Sequence, residues 1–117
     1  MTTAPIDTVR AFCAAFGDGP PDLDHVIGFF ADDAVYHNIP LDPVVGTEAI
    51  RATLASFSTG VEAIAAAGGT VLTERVDVFR YPGKEIALPV MGTFEVVDGK
   101  ITAWRDYFDT AANSPPG

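Results

Sequence analysis

Apolar residues recur at spacings of three and four in three stretches of the first half of this chain, and they alternate with polar ones through most of the second half. Between Pro5 and Phe16 the stripe Ile6, Val9, Phe12, Cys13 and Phe16 predicts an amphipathic helix, with Asp7 or Thr8 near its start and Gly17 just past its end. Asp22 is placed to cap a second short helix whose apolar side is Leu23, Val26, Ile27, Phe29 and Phe30, ending near Asp32 and Asp33. Ala34 to Asn38 reads as a short strand with Tyr36 and Asn38 on one face and Val35 and His37 on the other. After a Pro-containing loop from Ile39 to Val45, Thr47 is the expected N-cap of a third helix carrying Ile50, Leu54 and Phe57.

Three or four strands are then expected, roughly Val61 to Ala66, Val71 to Tyr81, Ile86 to Val97 and Lys100 to Asp109. Gly68-Gly69, Pro82-Gly83-Lys84 and Asp98-Gly99 separate them, and Asp-Gly is a strong hairpin signal because both residues tolerate positive φ. Helices followed by antiparallel strands predict an α+β domain, with the helices packed into the concave side of a bent sheet. One domain over residues 1–110 is the simplest division, and the small, Pro-rich residues 111–117 read as a flexible tail.

Charge changes this picture at one strand. In Val71 to Tyr81 the alternation puts Thr73, Arg75, Asp77 and Phe79 on one face and Leu72, Glu74, Val76 and Val78 on the other. Neither face is purely apolar. If the face bearing Phe79 is covered, a guanidinium and a carboxylate look into the interior, where charges persist only when paired. In the last strand Trp104, Asp106 and Phe108 share a face, so aromatic neighbours flank a second carboxylate. Gly92, on the inward face of the strand before it, fits curvature or a close approach.

Composition narrows the function classes. The chain is 48% hydrophobic with eight Phe among its 117 residues, which fits a packed core with apolar surface left over for a ligand cavity. A net charge of −9 with seven Lys plus Arg excludes the basic patch that nucleic acid requires. No stretch is long and apolar enough to span a bilayer, the start lacks the pattern of a secretory signal, and cytoplasm is the expected compartment. Cys13 is the single cysteine, so no internal disulfide forms, and its place on an apolar stripe makes it a core residue.

Tyr36, Asn38, Arg75, Asp77 and Asp106 are therefore the candidate site. Two carboxylates around one guanidinium leave a net negative charge, and like-charge coupling raises the proton affinity of one of them. One acid then stays protonated while the other is ionised, as a reaction needing a general acid and a general base demands. The competing reading is an Asp–Arg–Asp network that only ties strands together. Metal ligation by Asp77 and Asp106 lacks a supporting His pair and is opposed by Arg75, and Ser56, Ser58 and Thr59 have no evident His partner for nucleophilic chemistry. Glu74 and Arg80 are expected to form a solvated pair.

At these residues the sequence resembles the limonene-1,2-epoxide hydrolase family, within the nuclear-transport-factor-2-like (SnoaL-like) superfamily of cone-shaped α+β domains. Three blocks carry the resemblance: Tyr36-His37-Asn38 running into Ile39-Pro40-Leu41, Thr73-Glu74-Arg75-Val76-Asp77-Val78, and Gly99-Lys100-Ile101-Thr102 running into Trp104-Arg105-Asp106-Tyr107-Phe108-Asp109. It implies three N-terminal helices on a curved mixed or antiparallel sheet, and a one-step, cofactor-free and metal-free addition of water to an epoxide. By the same resemblance Asp106 is the general base, Tyr36 and Asn38 help hold the water, Asp77 is the general acid, and Arg75 bridges the two carboxylates.

A lipophilic epoxide would then lie against Phe79, Leu88, Val90, Trp104 and Phe108 from the strands, Phe57 from the third helix, and Phe29 or Phe30 from the second. The family further implies a homodimer through the outer sheet face, where Val76, Val78, Ile101 and Ala103 would meet a partner. With little before the first helix and almost nothing after Asp109, closure of the pocket by terminal segments is expected to be reduced. Two other readings use the same scaffold. A ketosteroid-isomerase-like or polyketide-cyclase-like proton transfer leaves Arg75 without a role, and a non-catalytic dimer binding an apolar ligand would tolerate Arg75→Lys.

Overall fold

A computed structural model describes residues 4–17 and 21–109. The elements run α1 (Pro5–Ala14), α2 (Leu23–Ile27), β1 (Phe30–Asn38), β2 (Val44–Val45), α3 (Thr47–Leu54), β3 (Phe57–Ala67), β4 (Thr70–Tyr81), β5 (Lys84–Val97) and β6 (Lys100–Tyr107). All six strands form one sheet in the order β2-β1-β6-β5-β4-β3. Its pairings are antiparallel except between β1 and β6, which makes the sheet mixed. The tail expected over 111–117 lies outside the described residues.

Local chemistry explains the boundaries. Pro5 stands at the first position of α1, where its missing N–H costs nothing, and no side chain caps that helix. The Asp22 side chain accepts from the His25 N–H at 3.3 Å and starts α2. Gly46, at φ 90°, precedes α3, so a left-handed backbone bend starts this helix where a Thr47 cap was expected. Between β5 and β6, Asp98 and Gly99 have φ of 51° and 76°, the two positive values of the tight hairpin turn that their sequence predicts.

Two aromatic placements differ from the sequence reading. The second helix stops at Ile27, and Phe30 opens β1 opposite Ile101 of β6, so Phe29 and Phe30 lie beyond the helix. Phe57 opens β3 opposite Phe79 and is no part of α3. In both cases cross-strand pairing outcompeted one more turn of helix.

The core lies between α1 and the inward face of the sheet, with Phe12 of α1 at its centre. The Phe12 ring is fully buried and meets Phe16, Phe29, Phe30, Phe94 and Trp104 edge to face at 5.2–5.9 Å. Emptying such a site in a Phe→Ala change typically costs about 3–5 kcal/mol. A bulge between Glu95 and Val96 shifts the β5–β6 register, pairing Glu95 with Ala103 and Val96 with Ile101. It breaks the simple alternation of β6 and turns Ile101 fully inward. Ile101 thus leaves the outer face on which it was expected to meet a partner.

Candidate active site

Strand register assembles the site. Thr73, Gly92, Asp106 and Asn38 are successive neighbours across β4, β5, β6 and β1, and in the next rows along β4 Arg75 faces Val90 and Asp77 faces Leu88. Arg75, Asp77 and Asp106 are each 1% exposed. The Arg75 fork donates from Nε to Asp77 Oδ1 at 3.0 Å and from Nη2 to Asp77 Oδ2 at 2.6 Å, while Nη1 donates to Thr73 Oγ1 at 2.8 Å. The same Nη2 reaches Asp106 Oδ2 at 2.8 Å, so one nitrogen joins carboxylates from two non-adjacent strands.

Isolated charges buried this deeply would be expelled or neutralised, and the bidentate, charge-assisted geometry offsets their desolvation. The rings of Trp104 and Phe94 add to it, with their centroids 5.4 and 5.6 Å from the guanidinium carbon. Among the described residues no buried side-chain nitrogen or oxygen lacks a partner. Burial opposes the charge on Arg75, but Asp106 and Asp77 together hold its pKa above the ordinary value.

Asp106 is the more crowded carboxylate. The Trp104 indole N–H donates to its Oδ1 at 2.5 Å and the Tyr36 hydroxyl to its Oδ2 at 3.2 Å. Burial pushes its pKa up to about 6; Arg75 opposes the rise and the Asp77 charge adds to it. Desolvation thus outweighs the like-charge coupling that the sequence emphasised. Tyr36 stacks on Trp104 with centroids 3.9 Å apart, and burial, reinforced by Asp106, raises the phenol well above its usual range and keeps it a proton-bearing donor.

Two cavities flank this group. One of about 390 Å³ is lined by Asn38, Leu41, Ala52, Thr53, Ser56, Phe79, Tyr81, Ile86, Leu88 and Phe108. Asn38 and Leu88 in its lining are the strand neighbours of Asp106 and Asp77. The larger cavity, about 530 Å³, lies between α1 and β3 and includes Arg10, Cys13, Thr59 and Glu62. It meets the ion group through Thr59, on the side of β4 opposite to β5 and β6.

Of the expected pocket residues, Phe79, Leu88 and Phe108 line the smaller cavity, whereas Phe29, Phe30, Phe57, Val90 and Trp104 do not. Phe30, Phe57 and Trp104 are core residues packed around α1, and Phe29 packs against them. Val90 is buried opposite Arg75. Phe12 and Phe16 occupy the space against which those rings were expected to leave a cavity. His37 Nε2 bonds the Leu41 carbonyl at 2.9 Å, away from Tyr36 and Asn38 as the alternation implies. Arg80 bonds Ser58 Oγ at 2.8 Å and stands 4.0 Å from Glu85, in place of the expected pairing with Glu74.

Three polar partners escaped the sequence reading. The Trp104 indole bonds Asp106 because residues i and i+2 of a strand share a face, a signal present in Trp-x-Asp itself. Thr73 likewise shares a face with Arg75. Thr59, whose Oγ1 donates to Asp77 Oδ1 at 2.6 Å, is visible only once β3 and β4 are in register. Cys13 is buried, its thiol pushed up to about 12 by desolvation, and stays protonated. Among the described residues no group of three or more His, Cys, Asp and Glu is arranged to hold a metal, and no helix is long and apolar enough to cross a membrane.

The α+β scaffold encloses two acids on one guanidinium, an arrangement able to carry general acid–base chemistry. The family described as limonene-1,2-epoxide hydrolase catalytic domain matches residues 3–112, and the chain belongs to that family and is an epoxide hydrolase. It is 37% identical over 107 residues to epoxide hydrolase EphG of Mycobacterium tuberculosis (strain ATCC 25618 / H37Rv), covering 86% of this chain and 70% of that protein. Among solved structures, an LEH-like epoxide hydrolase from M. tuberculosis superposes with a TM-score of 0.82 at 36% identity, over 95% of this chain and 86% of that one. TerC, co-crystallised with polyporic acid, shares the fold at a TM-score of 0.78 and 19% identity, over 95% of each chain.

Proposed function

We propose that Asp77 and Asp106 act together to open an epoxide with water in one step, releasing a vicinal diol and forming no covalent enzyme intermediate. The observation that carries this reading is the shared Arg75 nitrogen, which holds Oδ2 of each carboxylate at 2.6 and 2.8 Å and so aims both acids at one place. An epoxide is a poor electrophile towards neutral water. Protonating its oxygen while deprotonating the nucleophile is the effective route, each transfer contributing roughly 10²- to 10⁴-fold.

In this mechanism a water held by Asp106, Tyr36 and Asn38 gives a proton to Asp106 as its oxygen bonds to an epoxide carbon. The carbon–oxygen bond of the ring breaks, and the departing oxygen takes the proton of Asp77. Asp106 then releases its proton and Asp77 regains one, so the net change is epoxide plus water to diol. With a pKa of about 6, Asp106 is ionised and ready as a base at neutral pH. Arg75 stays charged throughout and moves no proton.

The substrate is assigned to the 390 Å³ cavity, because its lining contains Asn38 and Leu88, the strand neighbours of Asp106 and Asp77. Its sheet wall of Phe79, Ile86, Leu88 and Phe108 suits a lipophilic epoxide. A homodimer is proposed through the outer sheet face, where exposed Leu72, Met91 and Tyr107 adjoin Val76 and Val78.

Asp77→Asn and Asp106→Asn test the mechanism: each is expected to fold and to lose diol formation from cyclic and aryl epoxides. A single turnover in ¹⁸O-water should place label in the first diol released. Unlabelled first-turnover diol would mean that an enzyme oxygen attacked, and the one-step route would be excluded.

A further inference from the structure

We infer that Thr59 is a positioning residue for the acid, deciding which oxygen of Asp77 carries the proton given to the epoxide. This rests on the reading of Asp77 as the acid. Thr59 lies on β3 directly opposite Asp77 of β4, and its hydroxyl donates to Asp77 Oδ1 at 2.6 Å. Oδ1 also accepts from Arg75 Nε at 3.0 Å.

A carboxylate oxygen offers two in-plane lone pairs, and on Oδ1 both are taken. Oδ2 accepts one bond, from Arg75 Nη2 at 2.6 Å, and keeps a lone pair open. A proton arriving on Asp77 therefore settles on Oδ2. That oxygen shares the Arg75 Nη2 with Oδ2 of Asp106, so it is the Asp77 oxygen linked to the proposed base. Without the Thr59 hydroxyl, Oδ1 regains an open lone pair, and a proton there lies on the β3 side, away from the proposed base Asp106.

Location separates this role from substrate binding. Thr59 lines the 530 Å³ cavity beside α1 and has no part in the lining of the 390 Å³ cavity assigned to the epoxide. Removing its hydroxyl should slow the chemical step while leaving affinity alone. Valine keeps the β-branched shape that suits a strand and deletes only the donor; serine keeps the donor.

The test is steady-state diol formation from styrene oxide by wild type, Thr59→Val and Thr59→Ser, with folding followed by circular dichroism. Thr59→Val is expected to lose about tenfold in kcat, the rate equivalent of one hydrogen bond, with KM within about twofold. Thr59→Ser should recover most of that rate. Wild-type kcat in Thr59→Val, a rise in KM that accounts for the loss, or a Ser variant as slow as Val would each overturn the inference. If Thr59→Val does not fold, Thr59→Ala against Thr59→Ser makes the same comparison. Asp77→Asn is the control: full turnover there defeats the acid assignment itself, whereas an inactive Asp77→Asn beside an unimpaired Thr59→Val defeats only the role of Thr59.

Discussion

A β-carbon built on Gly92 would lie 2.2 Å from Nη1 of Arg75, and 2.4 Å from Oδ1 of Asp106. Gly92 is thus the floor on which the guanidinium lies as it leans back along the sheet from its own row to reach Thr73 and Asp106. No residue with a side chain leaves that space. The bare strand position, the two carboxylates and the flanking rings of Trp104 and Phe94 form one arrangement.

Gly92→Ala should therefore injure the site more than the fold. The arginine end is flexible in principle, but here it is held by four hydrogen bonds, so the added methyl must break some of them. We expect a folded protein with stability reduced by about 1–3 kcal/mol, as for other overpacked interiors. Diol formation should fall by about two orders of magnitude, the scale of losing one proton transfer. Urea denaturation and kinetics on one preparation check both, and an active Gly92→Ala enzyme would show that the guanidinium is less constrained than these contacts imply.

Asp106 sets the acid side of the pH profile. As the proposed base it works ionised, so kcat/KM should rise with pH and level off above about 6, falling tenfold per unit below. The stability effect has the opposite sense. A carboxyl whose folded pKa is raised from 3.8 to about 6 favours folding fully below its unfolded pKa, and that contribution is lost as pH rises through about 6. Relative to Asp106→Asn, wild type should lose on the order of 3 kcal/mol between pH 4 and 7. Denaturation curves at several pH values measure it, and parallel profiles for the two proteins would contradict it.

Trp104→Phe removes the indole donor to Asp106 while keeping a ring against Tyr36 and Phe94. Losing a hydrogen bond to the ionised form raises a carboxyl pKa further. The acid limb of kcat/KM should move to higher pH by about one unit, with a stability cost of roughly 1 kcal/mol. A limb that stays in place would assign the indole to packing alone.

Met91 is half exposed on the outer face, beside Tyr107 of β6 and Glu74 of β4. Placing a carboxylate there by Met91→Asp should separate a dimer that buries this face, because an unpaired charge would then be desolvated. Light scattering on wild type and variant reads the mass directly. A wild-type protein that is monomeric at micromolar concentration would remove the proposed interface.

What the sequence determined by itself is local. The period of two in β4 settled that Thr73, Arg75, Asp77 and Phe79 share a face, and the alternation in β1 parted Tyr36 and Asn38 from His37. Asp98-Gly99 specified its turn because both residues accept positive φ. The three blocks around Tyr36, Arg75 and Asp106 were enough to suggest the family.

Register and packing belong to the tertiary structure, since they depend on residues far apart in the chain. Only the pairing of β3 with β4 sets Thr59 against Asp77, and only the bulge beside Val96 turns Ile101 inward. No alternation rule contains an inserted residue in advance. Phe12 decided the cavity in the same way: by filling the space beneath the sheet, it made Phe30, Phe57 and Trp104 core residues and left a smaller cavity next to Asn38. A strand's face is fixed by its own backbone geometry, whereas the contents of an interior are fixed by which side chains reach it together.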